Sequence, residues 1–339
     1  RGSLRSHAQQ LVTLRQGQMI ATRDANSFFR TLADKVHALA DSGSAHPISL
    51  KAAVAEIKRY LPEERFYIRL HDLIIGETDR VIQESKGPAF DRATGTAQQE
   101  LLRRLKQSDR LTEVLRSMLA TGSYWGNARQ REHWVSALEK LANSNITLGI
   151  GTEFGLYPTL AALYTAGIAT VAVNKLDTLG AILTEPKIRI REEDHPLVLG
   201  VYPVKILNPD AAKQMPGFDR RYTPLNDYLS ESLRPVFHEL IPDDSRYEDY
   251  FDKFEYLASL VYMDYDQRTG RGWSPIGRFS WRLQHSRNGA SFPQQITAEV
   301  NSQGNNWPLV RSGLFAGDAS RFLLLQQRLD ERIRELSWY

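Results

Sequence analysis

The chain has 339 residues, a length that suits about two domains and a hydrophobic core that needs no disulfides. Hydrophobic residues make up 42% and charged residues 24%, which excludes a wholly disordered chain. Because cysteine is absent, disulfides, thiolate-bound zinc, iron–sulfur clusters and a cysteine nucleophile are excluded. We expect a cytoplasmic protein, since no stretch approaches about 18 uninterrupted apolar residues and a reducing compartment suits the composition.

The beginning of the chain is atypical of a natural start. It reads Arg1-Gly2-Ser3, and the first methionine is Met19. The apolar core of a signal peptide is missing from this segment. We interpret the first three residues as a vector remnant, and we expect the chain to be a fragment of a larger protein.

Charge is distributed unevenly along the chain. Residues 1–140 carry 22 basic and 16 acidic side chains, residues 141–266 carry 11 and 19, and residues 267–339 carry 10 and 5. All ten basic residues of the last segment are arginine, a side chain suited to bidentate contacts with carboxylate or phosphate. The simplest interpretation is an acidic middle held between two basic ends of the same chain.

Apolar residues recur at helical spacing through the first 145 residues. They predict helices over 4–42, 50–61, 66–83, 98–119 and 128–142. A turn is predicted at Thr121-Gly122-Ser123, between the last two of these helices. The first predicted domain, residues 1–145, is therefore all-helical.

Residues 146–186 have two competing interpretations. In the first, Gly149, Gly151 and Gly155 form the glycine loop of a dinucleotide-binding βαβ unit, with strands on either side of a helix. The glycine spacing is one residue too long for that motif, and Asn174 stands where an acid should hold the ribose hydroxyls.

In the second interpretation, residues 157–173 and 176–183 form a helical hairpin that resembles a tetratricopeptide-like helix pair. Small residues such as Ala162, Ala166 and Gly167 would permit close approach between helices. The β-branched run over 168–173 argues against the hairpin, whereas the helices predicted on both sides argue for it. We favour the hairpin.

The remainder of the chain mixes helices with a small β element. Alternation predicts strands over 187–191, 197–207 and 270–284, while residues 286–309 suit a loop with one short strand. Helical spacing returns over 223–240, 247–265 and 319–336. The second predicted domain, residues 146–339, is thus helical with a small β element near 187–207 and 272–300. The predicted fold class is mainly α, a helical bundle with the tetratricopeptide-like hairpin and that β element in its C-terminal half.

Four runs carry a resemblance to a known group of proteins. They are YPTLAALYTAGIA at 157–169, FEYLASLVY at 254–262, SPIGRFSWR at 274–282 and WPLVRSGLF at 307–315. In this order, over roughly residues 150–325, they resemble the C-terminal helical region of multidomain bacterial defence-type proteins. The resemblance implies that a separate N-terminal effector domain, sirtuin-like or otherwise, carries the activity. It also implies that this chain is a sensor, scaffold or assembly region, and it transfers no active site.

An HD dipeptide, His71-Asp72, lies on a predicted helix, with His37 upstream and Asp109 downstream. HD-type phosphohydrolases are all-helical and place such residues around a metal, so this order carries a hypothesis of a metal site. The flanking residues depart from the HD pattern, because no long apolar run precedes the dipeptide and no small, turn-forming residues follow it. A helix-surface pair is the simpler interpretation.

Arginines and aromatic residues are interleaved near the C-terminal third, a mixture used to bind single-stranded nucleic acid. The candidates for a partner or nucleic-acid contact are Arg271, Trp273, Arg278, Trp281, Arg282 and Arg287. The alternative is that these arginines pair with the acidic middle of the chain. In particular, the acidic run over 243–252 could dock the arginines of the C-terminal segment.

The leading functional hypothesis is a non-catalytic sensor or scaffold region that binds a protein partner or ligand and self-associates, with no cofactor. Nucleic acid stays a candidate partner, and a membrane is not expected. Sequence patterns for a phosphate loop, a serine–histidine–acid triad and a zinc-protease helix are all missing. The alternative from a different class is an enzyme. It would be a nucleotide- or dinucleotide-binding enzyme that uses the Gly149–Gly155 loop, or a metal-dependent HD-type phosphohydrolase.

Overall fold

We describe the fold from a computed structural model. It describes residues 48–87, 90, 96–144, 146, 148, 153–268, 273–285 and 292–336. Leu50–Tyr339 form one compact unit and Arg1–Ser49 another. The predicted helix over 4–42 lies outside the described residues. The boundary predicted at residue 145 falls inside the larger unit, not between the two units.

The described part of the first half is helical, as predicted. Its helices are α1 (Leu50–Tyr60), α2 (Tyr67–Glu84), α3 (Ala97–Trp125) and α4 (Arg131–Ala142). The turn predicted around Gly122 is wrong, because α3 continues through it to Trp125. A Cβ at Gly122 would lie 2.2 Å from the indole of Trp134 on α4. The glycine therefore leaves room for that ring, and it does not end α3.

The hairpin interpretation of residues 157–183 is confirmed. Helix α5 (Tyr157–Ala172) is followed by α6 (Leu176–Thr184), and the second strand that a βαβ unit needs at 168–173 is helix instead. Every residue from Tyr157 to Val171 is buried, so α5 is the central core helix of the unit. Within the described residues, the segment Glu153–Ala172 is long and apolar enough to cross a membrane, but 94% of it is buried inside the fold.

Two contacts fix this hairpin to its neighbours. A Cβ at Gly167 would lie 2.0 Å from the ring of Phe254, so the small residue allows the close approach that was predicted for this stripe. At the turn, the ammonium of Lys175 donates to the carbonyl oxygens of Ser123, Tyr124 and Gly126 at 3.3, 2.7 and 2.5 Å. These are C-terminal carbonyls of α3, where a cation is favourable.

The β element is a single antiparallel hairpin of β1 (Lys187–Ile190) and β2 (Glu193–Pro196), with Ile190 opposite Glu193. Its two turn residues, Arg191 and Glu192, have φ of 51° and 70°, the left-handed backbone of a type I′ turn. The strand predicted over 197–207 is wrong. Two single-turn helices replace it. The second begins at Pro203, and proline is favourable in the first turn of a helix.

The rest of the unit is helical between short 3-10 turns. Its helices are α7 (Leu197–Gly200), α8 (Pro203–Ile206), α9 (Pro209–Lys213), α10 (Pro224–Leu233), α11 (Asp244–Arg268), α12 (Phe279–His285), α13 (Phe292–Gln303), α14 (Pro308–Arg311) and α15 (Ala319–Glu335). The predicted strand over 270–284 is wrong, since residues 273–277 are not in a strand and α12 follows. The prediction of a loop over 286–309 is also wrong for the residues that form α13 and the start of α14. Among the described residues, the small β element is therefore confined to 187–196.

Candidate ligand-binding site

In its first half, helix α11 buries two carboxyl groups. Asp252 and Glu255 lie three residues apart and are 2% and 3% exposed. That spacing places both side chains on one side of a helix. Because a buried carboxylate is costly unless it is paired, the partners of each group indicate what it does.

Asp252 is paired with the arginines that follow the 273–277 loop. Nε of Arg278 lies 3.4 Å from Oδ1 of Asp252, and Nη1 of Arg282 lies 2.7 Å from its Oδ2. Both contacts are ion pairs that lack the geometry of a hydrogen bond. Arg278 and Arg282 also lie within 3.6 Å and 3.4 Å of Glu248. Burial raises the pKa of Asp252 to about 7, and the two guanidinium groups oppose that rise. The predicted docking of C-terminal arginines on the acidic run is thus confirmed.

Glu255 is bound through one oxygen only. Its Oε1 accepts from the hydroxyl of Tyr164 on α5 at 3.0 Å and from Nδ2 of Asn226 on α10 at 2.6 Å. Its Oε2 is buried and has no hydrogen-bond partner among the described residues. Burial raises the pKa of Glu255 to about 8; the donors Asn226 and Tyr164 and the nearby Arg278 lower it, and Asp252 raises it.

The loop that precedes α12 passes directly over this carboxyl group. A Cβ at Gly277 would lie 2.2 Å from Oε2 of Glu255, a distance that no side chain could occupy. Glycine therefore lets the backbone close one wall of the site without displacing the carboxyl group.

Glu255 lines a small inner cavity of about 30 Å³. The rest of the wall is mostly apolar and comes from α5, α7, α8, α11 and the 273–277 loop; among its members are Leu163, Val198, Val201, Phe254 and Ile276. A larger groove of about 310 Å³ adjoins the cavity and shares Pro203, Val204, Asn226 and Ile276 with it. The site therefore has the carboxyl group of Glu255 at its inner end and an apolar groove at its outer end.

The groove has an aromatic edge and few polar groups. Trp273 is 38% exposed there and packs against Tyr202 and Tyr262, with ring centroids 5.6 and 5.4 Å apart. The hydroxyl oxygen of Ser274 is buried in the groove wall and has no partner in the described part of the chain. Arg332 and Leu336, at the end of α15, complete the groove.

Four of the six residues predicted to form a contact surface lie in the described structure, where they have three different surroundings. Arg278 and Arg282 face the acidic side of α11, where carboxylates neutralise them. Trp273 lines the groove, whereas Trp281 is 45% exposed and stacks on His285 at 4.7 Å. Arg271 and Arg287 lie outside the described residues. The prediction of an arginine rim facing outward from a strand is wrong for Arg278 and Arg282.

The glycine loop of the dinucleotide interpretation is not supported either. Gly149 and Gly151 lie outside the described residues. Gly155 is buried in the 3-10 helix Glu153–Leu156, directly before α5. Because helix occupies the position of the second strand, the parallel β pair that would present a dinucleotide does not form there.

The HD residues are not assembled around a common point in the described structure. His37 lies outside the described residues, Asp72 is exposed, and His71 lines a cleft of about 300 Å³ with His133. Burial and the nearby His71 together lower the pKa of His133 to about 4. No group of three or more histidines and carboxylates in the described parts of the chain could hold a metal ion.

Asp109, the last HD candidate, belongs to a different cluster. Its Oδ1 accepts from the hydroxyl of Tyr157 at 2.8 Å and from Nη1 of Arg116 at 3.2 Å, and its Oδ2 accepts from the hydroxyl of Tyr228 at 2.5 Å. Both oxygens are thus used inside the fold. Burial raises the pKa of Tyr157 and of Tyr228, so both hydroxyls keep the protons that they donate.

Sequence reasoning missed Glu255, Tyr164 and Asn226. The signal for Glu255 was present in the run FEYLASLVY at 254–262, where one carboxyl group stands in an otherwise apolar segment. A lone acid in such a run indicates a buried charge that needs partners. No local pattern indicates that its partners come from α5 and α10.

Comparisons of the chain with protein-family models, with curated proteins and with solved structures found no match.

Proposed function

We propose that this chain is a non-catalytic sensor region that binds a small ligand in the Glu255 cavity and its adjoining groove. The observation that carries the proposal is Oε2 of Glu255, which is buried, lines the cavity and lacks a hydrogen-bond partner among the described residues. Buried polar atoms are normally satisfied, so an unsatisfied carboxyl oxygen that lines a cavity needs an explanation, and a bound ligand supplies one. Ligand sites are typically apolar pockets with a few polar groups, which is the composition of this one.

The position of the cavity supports sensing. Its wall joins elements that are distant in sequence, from Leu163 on α5 to Ile276 before α12, and the groove reaches Leu336 beyond α15. A ligand held between them stabilises the arrangement in which they meet. Tyr164 and Asn226 are already engaged in holding Oε1 of Glu255, which suits recognition more than chemistry.

The wider context of the proposal comes from the resemblance over residues 150–325. We place this region in a bacterial multidomain protein of the defence type, in the cytoplasm, where it reports to a separate effector domain. A protein partner or a second copy of the chain receives the signal. The absence of cysteine suits that compartment.

The test is calorimetric titration of the purified chain with 1-hexanol, an apolar probe small enough for the groove. We expect saturable binding to the wild-type chain. Val204→Trp should abolish binding, because Val204 lines both the cavity and the groove. Leu324→Trp is the matched control, since Leu324 is 47% exposed on α15 and does not line the site.

The outcome is decided by the two variants together. Binding that is lost in Val204→Trp and kept in Leu324→Trp supports the proposal, provided that circular dichroism gives both variants the wild-type helicity. Absence of hexanol binding to the wild-type chain, or equal binding to both variants, would overturn it.

A further inference from the structure

The two oxygens of Glu255 have different surroundings. Oε1 accepts from two donors, Tyr164 and Asn226, which come from two different helices. Oε2 has no donor within the described residues, although a backbone loop closes over it at Gly277. The carboxyl group is therefore fixed in place through one oxygen, and the other is left to accept from whatever enters the cavity.

We infer that the Glu255 cavity binds the ammonium group of a primary amine, and that the groove holds the apolar body of the same molecule. This inference rests on the proposed function, since it names the class of ligand for that site. The ammonium would displace the proton that burial keeps on Glu255, donate to its Oε2, and compensate the buried carboxylate that results.

Size favours a primary amine over bulkier cations. The inner cavity of about 30 Å³ suits a group about as large as one water molecule, which an –NH₃⁺ group is. A trimethylammonium or guanidinium head is larger than that volume. The groove of about 310 Å³ can hold a short alkyl or aromatic body against Val204, Leu207 and Trp273.

Charge favours a cation over a neutral ligand. The groups that act electrostatically on Glu255 are Asp252 on the same helix, Arg278 from the segment after the loop, and Tyr164 on α5. Arg278 is shared with Asp252 and Glu248, so these two acids of α11 compete with Glu255 for it. A bound ammonium would supply Glu255 with a cation of its own.

The experiment compares three probes by calorimetry at pH 7: n-hexylamine, 1-hexanol and hexyltrimethylammonium. We expect n-hexylamine to bind at least tenfold more tightly than either of the others. In Glu255→Gln, an isosteric change that places an N–H donor in the cavity, this preference should vanish while hexanol binding persists. Glu248→Gln is the matched control, because Glu248 lies on the same helix and is 46% exposed; it should keep the preference.

Each outcome separates the inference from the proposed function. If hexanol binds and n-hexylamine binds no more tightly, the cation inference is wrong and the ligand site stands. If none of the three probes binds the wild-type chain, both are wrong. A preference for n-hexylamine that survives in Glu255→Gln, or equal binding of the trimethylammonium probe, would also refute the inference.

Discussion

The Asp109 cluster and the acidic face of α11 use similar groups in different ways. In both regions, a carboxyl group accepts from a tyrosine hydroxyl of α5; that of Glu255 is buried, and the side chain of Asp109 is 13% exposed. Asp109 uses both oxygens, with two tyrosines and an arginine around it. Glu255 uses one oxygen, and the guanidinium groups nearby contact Asp252 instead.

The comparison separates a carboxylate that stabilises the fold from one that, under the proposed function, binds a ligand. A fully satisfied carboxylate with a direct cation contributes to stability, and removing it strands its partners. A buried carboxyl group that has only one hydrogen-bonded oxygen and no direct ion pair destabilises the folded state until a ligand binds the other oxygen. Three measurements can break or sharpen this contrast.

The largest effect is expected from the double charge reversal Arg278→Glu and Arg282→Glu. It would leave Asp252 buried among new negative charges, so we expect the free energy of unfolding to fall by about 5 kcal/mol. Urea denaturation followed by circular dichroism measures it. The control Arg328→Glu changes an exposed arginine on α15 and should cost within about 0.5 kcal/mol. A double variant as stable as this control would mean that the arginines do not stabilise the fold.

Asp109→Ala should come next, with a loss of about 3 to 4 kcal/mol, because two buried tyrosine hydroxyls and the guanidinium of Arg116 lose their shared acceptor. Asp72→Ala is the matched control, since Asp72 is exposed on α2. The same denaturation experiment applies to both. Equal stability of the two variants would remove the contrast between a structural carboxylate and the one at Glu255.

Local periodicity predicted the helices but not every end. The amphipathic pattern of α15 is readable along the chain, because 3.6-residue spacing survives wherever one face is buried. Helix α5 is buried on every side, so it has no such stripe, and it was predicted from the helices on either side of it. Gly122 misled the prediction since its role depends on Trp134, a residue of the next helix. A glycine that admits a distant ring has the same local signature as a glycine in a turn.

The strand prediction for the segment over 270–284 was wrong for a related reason. Its apolar residues include Ile276 and Phe279, three apart, which suits a helix as well as an imperfect strand. Arg278 and Arg282, four apart, both reach Asp252, and that tertiary contact favours helix α12. The charge asymmetry along the sequence did predict which segments would meet. The convergence of Tyr164, Asn226 and Glu255 depends on three helices at once, and no spacing in the sequence encodes it.

The smallest expected effect is a pH dependence of stability that belongs to the acidic face of α11. The folded-state pKa of Glu255, about 8, and that of Asp252, about 7, both lie above the usual range of a carboxyl group. The native state therefore binds more protons than the unfolded state, and stability decreases as pH rises toward 8. His133, with its pKa lowered to about 4, has the opposite effect between about pH 4 and 6.5.

Above about pH 6.5 the opposing effect of His133 ends, and between that pH and 8 Glu255 alone should account for a loss of roughly 1.5 kcal/mol. Urea midpoints at half-unit pH steps measure this slope. Glu255→Gln cannot titrate and should flatten the curve by that amount, leaving the contributions of Asp252 and of Asp227 and Asp330, whose pKa values burial also raises. Glu113→Gln removes an exposed carboxyl group on α3 and should leave the slope unchanged. An identical slope in wild type and Glu255→Gln would show that Glu255 is ionised or solvated like an ordinary carboxyl group. The distinction between it and Asp109 would then fail.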